Sequence, residues 1–252
     1  MGTSSIFRGN NDRNSLLPSD YEKESQIMGR KVTWKTVKTD MSKYVSSSGA
    51  HGSAKHIVRQ AIKANGGSRR MVLNSSSSMS AARSLGGFFV GVRSNGIYAT
   101  LQQLGIEYEG RSVNDILSHL INVISPHAET KEDIVSRQAS QSALSNVYKY
   151  ITDNNMDFSC VDNMPVEIMD KAMKSFLIEY IWATVMKDLE FRVEKYMPDT
   201  DSAFERENEL KEIIEAVVDV EYDNHGSLIQ NSINDAVSSL TEQCLSVLEG
   251  IV

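Results

Sequence analysis

From residue 53 onward, apolar positions recur at three- and four-residue intervals, the spacing of helices that bury one face. "SAKHIVRQAIKANGG" sets Ile57, Ala61 and Ile62 on one face, with Ser53 placed to cap its start and Gly66-Gly67 to stop it. "SSSSMSAARSLGGFFVGVRSNG" carries Ala82, Leu85, Phe89 and Val92 at helical spacing. Within it, Gly87 and Gly91 form a small-xxx-small pair, which predicts close helix packing in a core. "IYATLQQLGI" predicts a short helix ended by Gly105. "SVNDILSHLINVI" predicts another, with Val113, Ile116, Leu117, Leu120, Ile121 and Ile124 on a single stripe that stops at Pro126.

"TKEDIVSRQASQSALSNVYKYI" opens with Thr130 and Asp133 at capping-box spacing, and its apolar face runs Ile134, Leu144, Val147 and Ile151. From Pro165 the pattern continues to Met197, before Pro198 stops it. That predicts one central helix of about 32 residues and nearly ~50 Å. Lys171, Lys174, Glu179, Lys187 and Asp188 interrupt its apolar surface, so it does not read as a membrane span. "DSAFERENELKEIIEAVVDVEY", with Leu210, Ile213, Ile214, Val217 and Val218, predicts a further helix. "SLIQNSINDAVSSLTEQCLSVLEGIV" predicts the last, through Leu228, Ile229, Ile233, Val237, Leu240, Cys244 and Leu248.

Before Ser53 the periodicity fails. "FRGNNDRNSLLPSD" is turn-rich and "SSSGAHGS" is a Ser/Gly linker by composition. Between them, "GRKVTWKTVKTDMSKYV" alternates Val32, Trp34, Thr36 and Lys38, which reads as a short extended segment or one ordered by a partner. Trp34 is the anchor to expect there, because a buried indole dominates local contact energy. The predicted fold is all-α: an irregular arm over 1–52, a helical core over 53–155, and a C-terminal bundle of long helices over 156–252 packed on that core.

Composition agrees. Of 252 residues, 40% are hydrophobic and only 4 are proline, which favours long helices over a sandwich or barrel. Charge adds an asymmetry. Residues 1–70 sum to +8, which leaves −15 for the remainder of a chain whose total is −7. A basic arm joined to an acidic body either folds back on that body or meets an acidic partner or nucleic acid. Cys160 and Cys244, with no secretory apolar run at the start, read as reduced thiols in a cytoplasmic protein.

The candidate chemistry is sparse. The histidines His51, His56, His119, His127 and His225 show no zinc-site spacing, and no cysteine pair stands close. His119 reads as a packing residue beside its helix's stripe. There is no phosphate loop of the GxxxxGK[ST] type and no GxSxG elbow. "NGGSRRM" could touch phosphate, but reads first as a glycine-stopped helix followed by solvated charges. The run from Asp188 to Asp223 holds 13 carboxylates against 4 basic residues, alternating with an apolar stripe, and reads as a solvated helix face. The residues do not describe a self-sufficient enzyme.

Taken as a set, "MGTSS", "GGSRRMVLNSSSSMSAARSLGGFF" and "LINVISPHAETKEDIVSRQAS" resemble the QatB family of the bacterial Qat anti-phage defence system. The likeness covers residues 1–5 and 50–150; the acidic C-terminal third carries no motif of that family and looks divergent. The resemblance implies partners more than a reaction. They are a QueC-like enzyme (QatC) first and a P-loop ATPase (QatA) second, with ATP and zinc belonging to the QueC-like enzyme. It also implies that the QueC-like partner joins the activated carboxylate of a 7-deazaguanine to an N-terminal glycine amine. Here that amine would be Gly2 after Met1 is removed, with Thr3, Ser4 and Ser5 as slim hydrogen-bonding neighbours in the partner's pocket and Trp34 as a further partner contact. N-myristoylation of Gly2 is a poorer reading, since its pattern wants Ser or Thr where Ile6 stands. The rival functions are a nucleic-acid-binding module, resting on the basic first 70 residues, and a purely structural scaffold.

Overall fold

Local signals and observed helices agree through most of the chain. The computed structural model describes residues 32–46, 53–126, 129–189, 200–229 and 233–250. Among these residues ten α-helices form: α1 Trp34–Ser46, α2 Ala54–Ala64, α3 Ser68–Leu73, α4 Ser76–Asn95, α5 Ile97–Gln103, α6 Val113–Ile124, α7 Lys131–Asp153, α8 Val166–Met186, α9 Thr200–His225 and α10 Ile233–Glu249. A 3-10 helix, Phe158–Asn163, turns the chain between α7 and α8. The described residues are thus all-α, as the periodicity predicts.

Caps fix several boundaries. Ser53 accepts from the His56 amide at the start of α2, and Ser112 does the same for Asp115 in α6. Thr130 and Asp133 form the predicted reciprocal capping box of α7.

Helix α8 is the centre of the bundle. Met169, Met173, Phe176, Tyr180 and Ile181 are all fully buried, and α7, α4 and α9 pack around it. Helix α10 closes the other side against α2, α3, α4 and α9. One apolar cluster runs from Val37 in α1 to Leu248 in α10. Each fully buried side chain of this size contributes about 1.5–3 kcal/mol, which favours the fold over the individually weak helices.

Several local expectations are corrected. Residues 34–46 are helical, not extended: Val37, Met41, Tyr44 and Val45 are buried at helical spacing. The alternation of Val32, Trp34 and Thr36 is a coincidence of composition. Helix α8 ends at Met186, well before Met197. Lys187 N–H makes the last ordinary helical bond, to Ala183 O, and the chain then tightens into a turn as Leu189 N–H donates to Met186 O; residues 190–199 lie outside the described residues. Ile134 is half exposed, and α7 instead buries Val135, Ala139 and Ala143 beside Leu144, Val147 and Ile151. Gly87 faces open space, so the glycine pair is not a packing unit; Gly91 alone meets a neighbour, with Thr100 Cγ2 at 3.0 Å from where a Cβ would stand. His119 is exposed and shares a hydrogen bond with Arg111, so it is not a packing residue. Helix α10 begins at Ile233; Leu228 and Ile229 are buried in the turn before it.

Candidate functional site

Gly2, Thr3, Ser4 and Ser5 lie outside the described residues, so the structure does not bring them to any site. Trp34 is within them, at the first position of α1. It is half-buried against the apolar cluster, with Lys38 Nζ 6.0 Å from its ring centroid. Part of the indole is therefore used inside the chain. Helix α1 is held further along by Tyr44, whose hydroxyl donates to Glu209 of α9 while the Arg206 guanidinium lies 5.5 Å over its ring. Burial first, then the Glu209 carboxylate, push the Tyr44 hydroxyl far above its ordinary value. Tyr44 stays neutral and tethers α1 to the acidic helix.

The serine run and the "TKED" stretch, far apart in sequence, meet in space. Glu132 accepts from the Ser77 amide at 3.2 Å, the Ser78 amide at 2.8 Å and the Ser78 hydroxyl at 2.7 Å. A carboxylate from α7 therefore caps the start of α4, where negative charge is favoured. Ser77 Oγ donates to Asp133 at 2.6 Å. Ser136 Oγ donates to Ser77 O at 3.3 Å and receives from Ser125 Oγ at 3.2 Å. Arg137 ties the end of α6 to the same knot through Ser125 O at 3.0 Å and Asn122 at 2.8 Å. Deeper in, Tyr180 OH stands 2.5 Å from Ser75 Oγ, which itself donates to Met71 O. Burial pushes the Tyr180 hydroxyl up to about 12.

A cleft of about 340 Å³ opens beside this knot, lined by Ser76, Ser77, Ser80, Ser125, Asp133 and Ser136. A serine touching a carboxylate invites a nucleophilic reading, but the energetics oppose it. Hydrogen bonds from Ser77 and Thr130 hold Asp133 down to about 2, so its carboxylate is a very weak base near neutral pH. The knot's groups satisfy one another, which makes it a structural junction of α4, α6, α7 and α8. The sequence offered a signal for it, a serine run followed later by two adjacent acids, but no sequence rule pairs two such segments.

A second cleft, about 300 Å³, lies between α7, α8 and α9. Val135, Trp182 and Met186 form its apolar floor, with Lys131, Lys187 and Glu207 around it. Ile134 on its wall is 50% exposed, and Phe204, one turn before Glu207, is 65% exposed. Lys211 pairs with Glu179 at 3.1 Å and stands 6.0 Å from the Trp182 ring centroid, steadying the indole. The cleft is amphipathic and suits an apolar side chain followed by a charge.

The two cysteines are free thiols. Burial raises both, Cys244 to about 12, so both remain protonated near neutral pH. No helix among the described residues is long and apolar enough to cross a membrane.

The described residues thus form a helical bundle knotted by polar contacts between its serine-rich and acidic stretches. The family described as "QatB: Qat anti-phage system associated protein QatB" matches residues 66–248, nearly three quarters of the chain. The chain belongs to that family, and so to an anti-phage defence system. No curated protein and no solved structure matches it. The match corrects the reach of the sequence-based likeness. It extends through α9 and most of α10, so the acidic C-terminal third lies within the family match. Residues 1–65, with Gly2, Trp34 and α1, lie outside it.

Proposed function

We propose that the chain is a non-catalytic substrate and adaptor of the Qat complex, presenting its Gly2 amine to a QueC-like partner (QatC) for attachment of a 7-deazaguanine. Membership of the QatB family, combined with the opening Met1-Gly2-Thr3-Ser4-Ser5, carries the reading. The partner would supply ATP-dependent activation and its own zinc. In the step itself the neutral amine attacks the carbonyl carbon of the acyl-adenylate. The amide bond forms, the bond to AMP breaks, and the amine's proton passes to solvent. An α-amino group, with a reference pKa of about 7.7–8.0, is partly neutral at physiological pH where a lysine is not. A glycine lets that amine enter a narrow pocket, since no side chain obstructs its approach.

The helical body supplies the grip in this reading. The amphipathic cleft beside Trp182 and the half-exposed edge of Trp34 are surfaces a partner protein could use. The P-loop ATPase of the system is the second partner we assign to this body. A phage-protection assay separates this from a purely structural scaffold. A bulky tag in front of Gly2 should abolish protection while the same tag after Val252 preserves it. Equal protection from both would remove the substrate role.

A further inference from the structure

The charge asymmetry of the sequence has a definite location in the fold. Residues 32–70 hold eight Lys and Arg against one acid, Asp40. Asp40 stands 3.6 Å from His56 Nε2 and forms no ion pair with any Lys or Arg among the described residues. The helices that carry these cations turn their apolar faces inward and leave most of the charges outside: Lys55, Arg59, Arg69 and Arg70 are exposed and Lys63 is half-buried. None of the eight forms an ion pair among the described residues. Several cations of the acidic half are paired instead. Lys174 holds Asp219 and Asp223, Lys211 holds Glu179, and Arg206 holds Glu209.

On α2 the spacing is regular. Lys55, Arg59 and Lys63 stand four residues apart, which on a helix makes one stripe with about 6 Å of rise between neighbours. The stripe leads to the Gly66-Gly67 turn, where Arg70 lies across Gly66 closely enough that a Cβ there would meet its Cδ at 2.5 Å. Arg59 rests against the end of α10, its Cζ 3.0 Å from where a Cβ on Gly250 would stand. Two of the guanidiniums are thereby steadied, while the lysines form no ion pair among the described residues.

We propose that this face, α2 with the turn into α3, is a docking surface for the phosphate backbone of a nucleic acid. A row of cations without an ion pair among the described residues calls for a polyanion, and two kinds exist: nucleic acid, or an acidic protein surface such as α9 of a second copy. Composition favours the first. Residues 54–70 hold two lysines and three arginines with no acid and no Phe, Tyr or Trp; protein–DNA interfaces are strongly positive and polar, whereas protein–protein interfaces favour aromatic residues. The overall charge of −7 does not oppose this at physiological salt, where charges beyond about 8 Å are screened. The inference is independent of the Gly2 reading, since it concerns other residues and a different measurement.

The test is fluorescence anisotropy of labelled mixed-sequence DNA and RNA duplexes against the full-length protein over a salt series. The protein should bind at low salt, with log K falling against log[salt] by about 0.9 for each phosphate neutralised. Lys55→Gln with Lys63→Gln removes two exposed or half-exposed cations that form no ion pair among the described residues. It should cut the slope by roughly 2 and weaken low-salt binding at least tenfold, while circular dichroism stays unchanged. Lys149→Gln with Lys171→Gln, on exposed positions of α7 and α8, should leave both unchanged. Failure to bind either duplex at low salt overturns the proposal, as does a double variant indistinguishable from the parent. Salt-sensitive self-association in light scattering, lost in the same variant and unaffected by nucleic acid, would overturn it in favour of a second copy's acidic helix.

Discussion

Glu249, in the last turn of α10, accepts a hydrogen bond at 2.8 Å from the backbone amide of Ser68, the first residue of α3. The contact joins residues 181 positions apart and is buried. It is one of three of its kind. Helices α3, α4 and α5 have no hydrogen bond from their own capping side chains. Each receives a carboxylate from elsewhere: Glu249 at Ser68, Glu132 at Ser77 and Ser78, and Asp162 at Ile97. Two of the cap positions are Gly67 and Gly96, both at positive φ, and a Cβ at either would come within 3.4 Å of the incoming carboxylate. Glycine thus serves both the backbone angle and the space.

Glu249→Ala removes the acceptor and leaves a buried amide unsatisfied, which should cost about 1–3 kcal/mol in urea unfolding. Gly67→Ala should be comparably destabilising with the carboxylate still in place, through strain at positive φ and crowding against Glu249. Unchanged midpoints in both would show that the remote caps do not hold the bundle together.

The glycines of α4 give a contrast within one helix. Gly87 is exposed with open space around it, so Gly87→Ala should stabilise by about 0.5–1 kcal/mol through helix propensity alone. Gly91→Ala would press on Thr100 at 3.0 Å and should lose most or all of that gain. Thermal unfolding of the pair of variants measures the difference directly.

Alkaline pH should unfold the protein early. Tyr180 is raised from 10.0 to about 12 and Cys244 from 9.0 to about 12, in both cases mainly by burial. Tyr44 and Tyr222 are shifted in the same direction, also mainly by burial. These groups hold their protons more tightly folded than unfolded. Their contribution is complete below the unfolded values and is lost as pH rises between about 9 and 12, roughly 2–3 kcal/mol from Tyr180 alone. Tyr180→Phe should cost about 1 kcal/mol near neutral pH and flatten the alkaline decline, as followed by fluorescence.

Asp133 works with the opposite sign. Held at about 2 by Ser77 and Thr130, it favours the fold above its ordinary value of 3.8. That contribution is lost as pH falls between about 4 and 2. Asp133→Asn should therefore be less stable than the parent at neutral pH and converge with it at pH 2, in denaturant titrations at both values.

Much of this fold is legible in the sequence, because the stripes of α2, α6 and α10 and the caps at Ser53, Ser112 and Thr130 are local signals. Helix α1 was hidden: its stripe, Val37, Met41, Tyr44 and Val45, overlaps an alternation starting at Val32 that mimics a strand. The end of α8 was hidden because Leu189 continues the apolar spacing past a break made by the backbone. The remote caps could not be read at all. No local rule links Glu249 to Ser68 or Glu132 to Ser78, since only the packed bundle brings them together. Of the candidate site, the Gly2 end proposed to interact lies outside both the described residues and the family match, and the cleft beside Trp182 emerges only from three helices meeting.

The central claim is tested most directly by the intact mass of the full-length chain purified after co-expression with an active QueC-like partner. The account predicts a protein without Met1 that carries one added deazaguanine acyl group, mapped by fragmentation to Gly2, and no addition when that enzyme's activity is abolished. A chain of unaltered mass beside an enzyme shown to be active, or an adduct on any other residue, would contradict it.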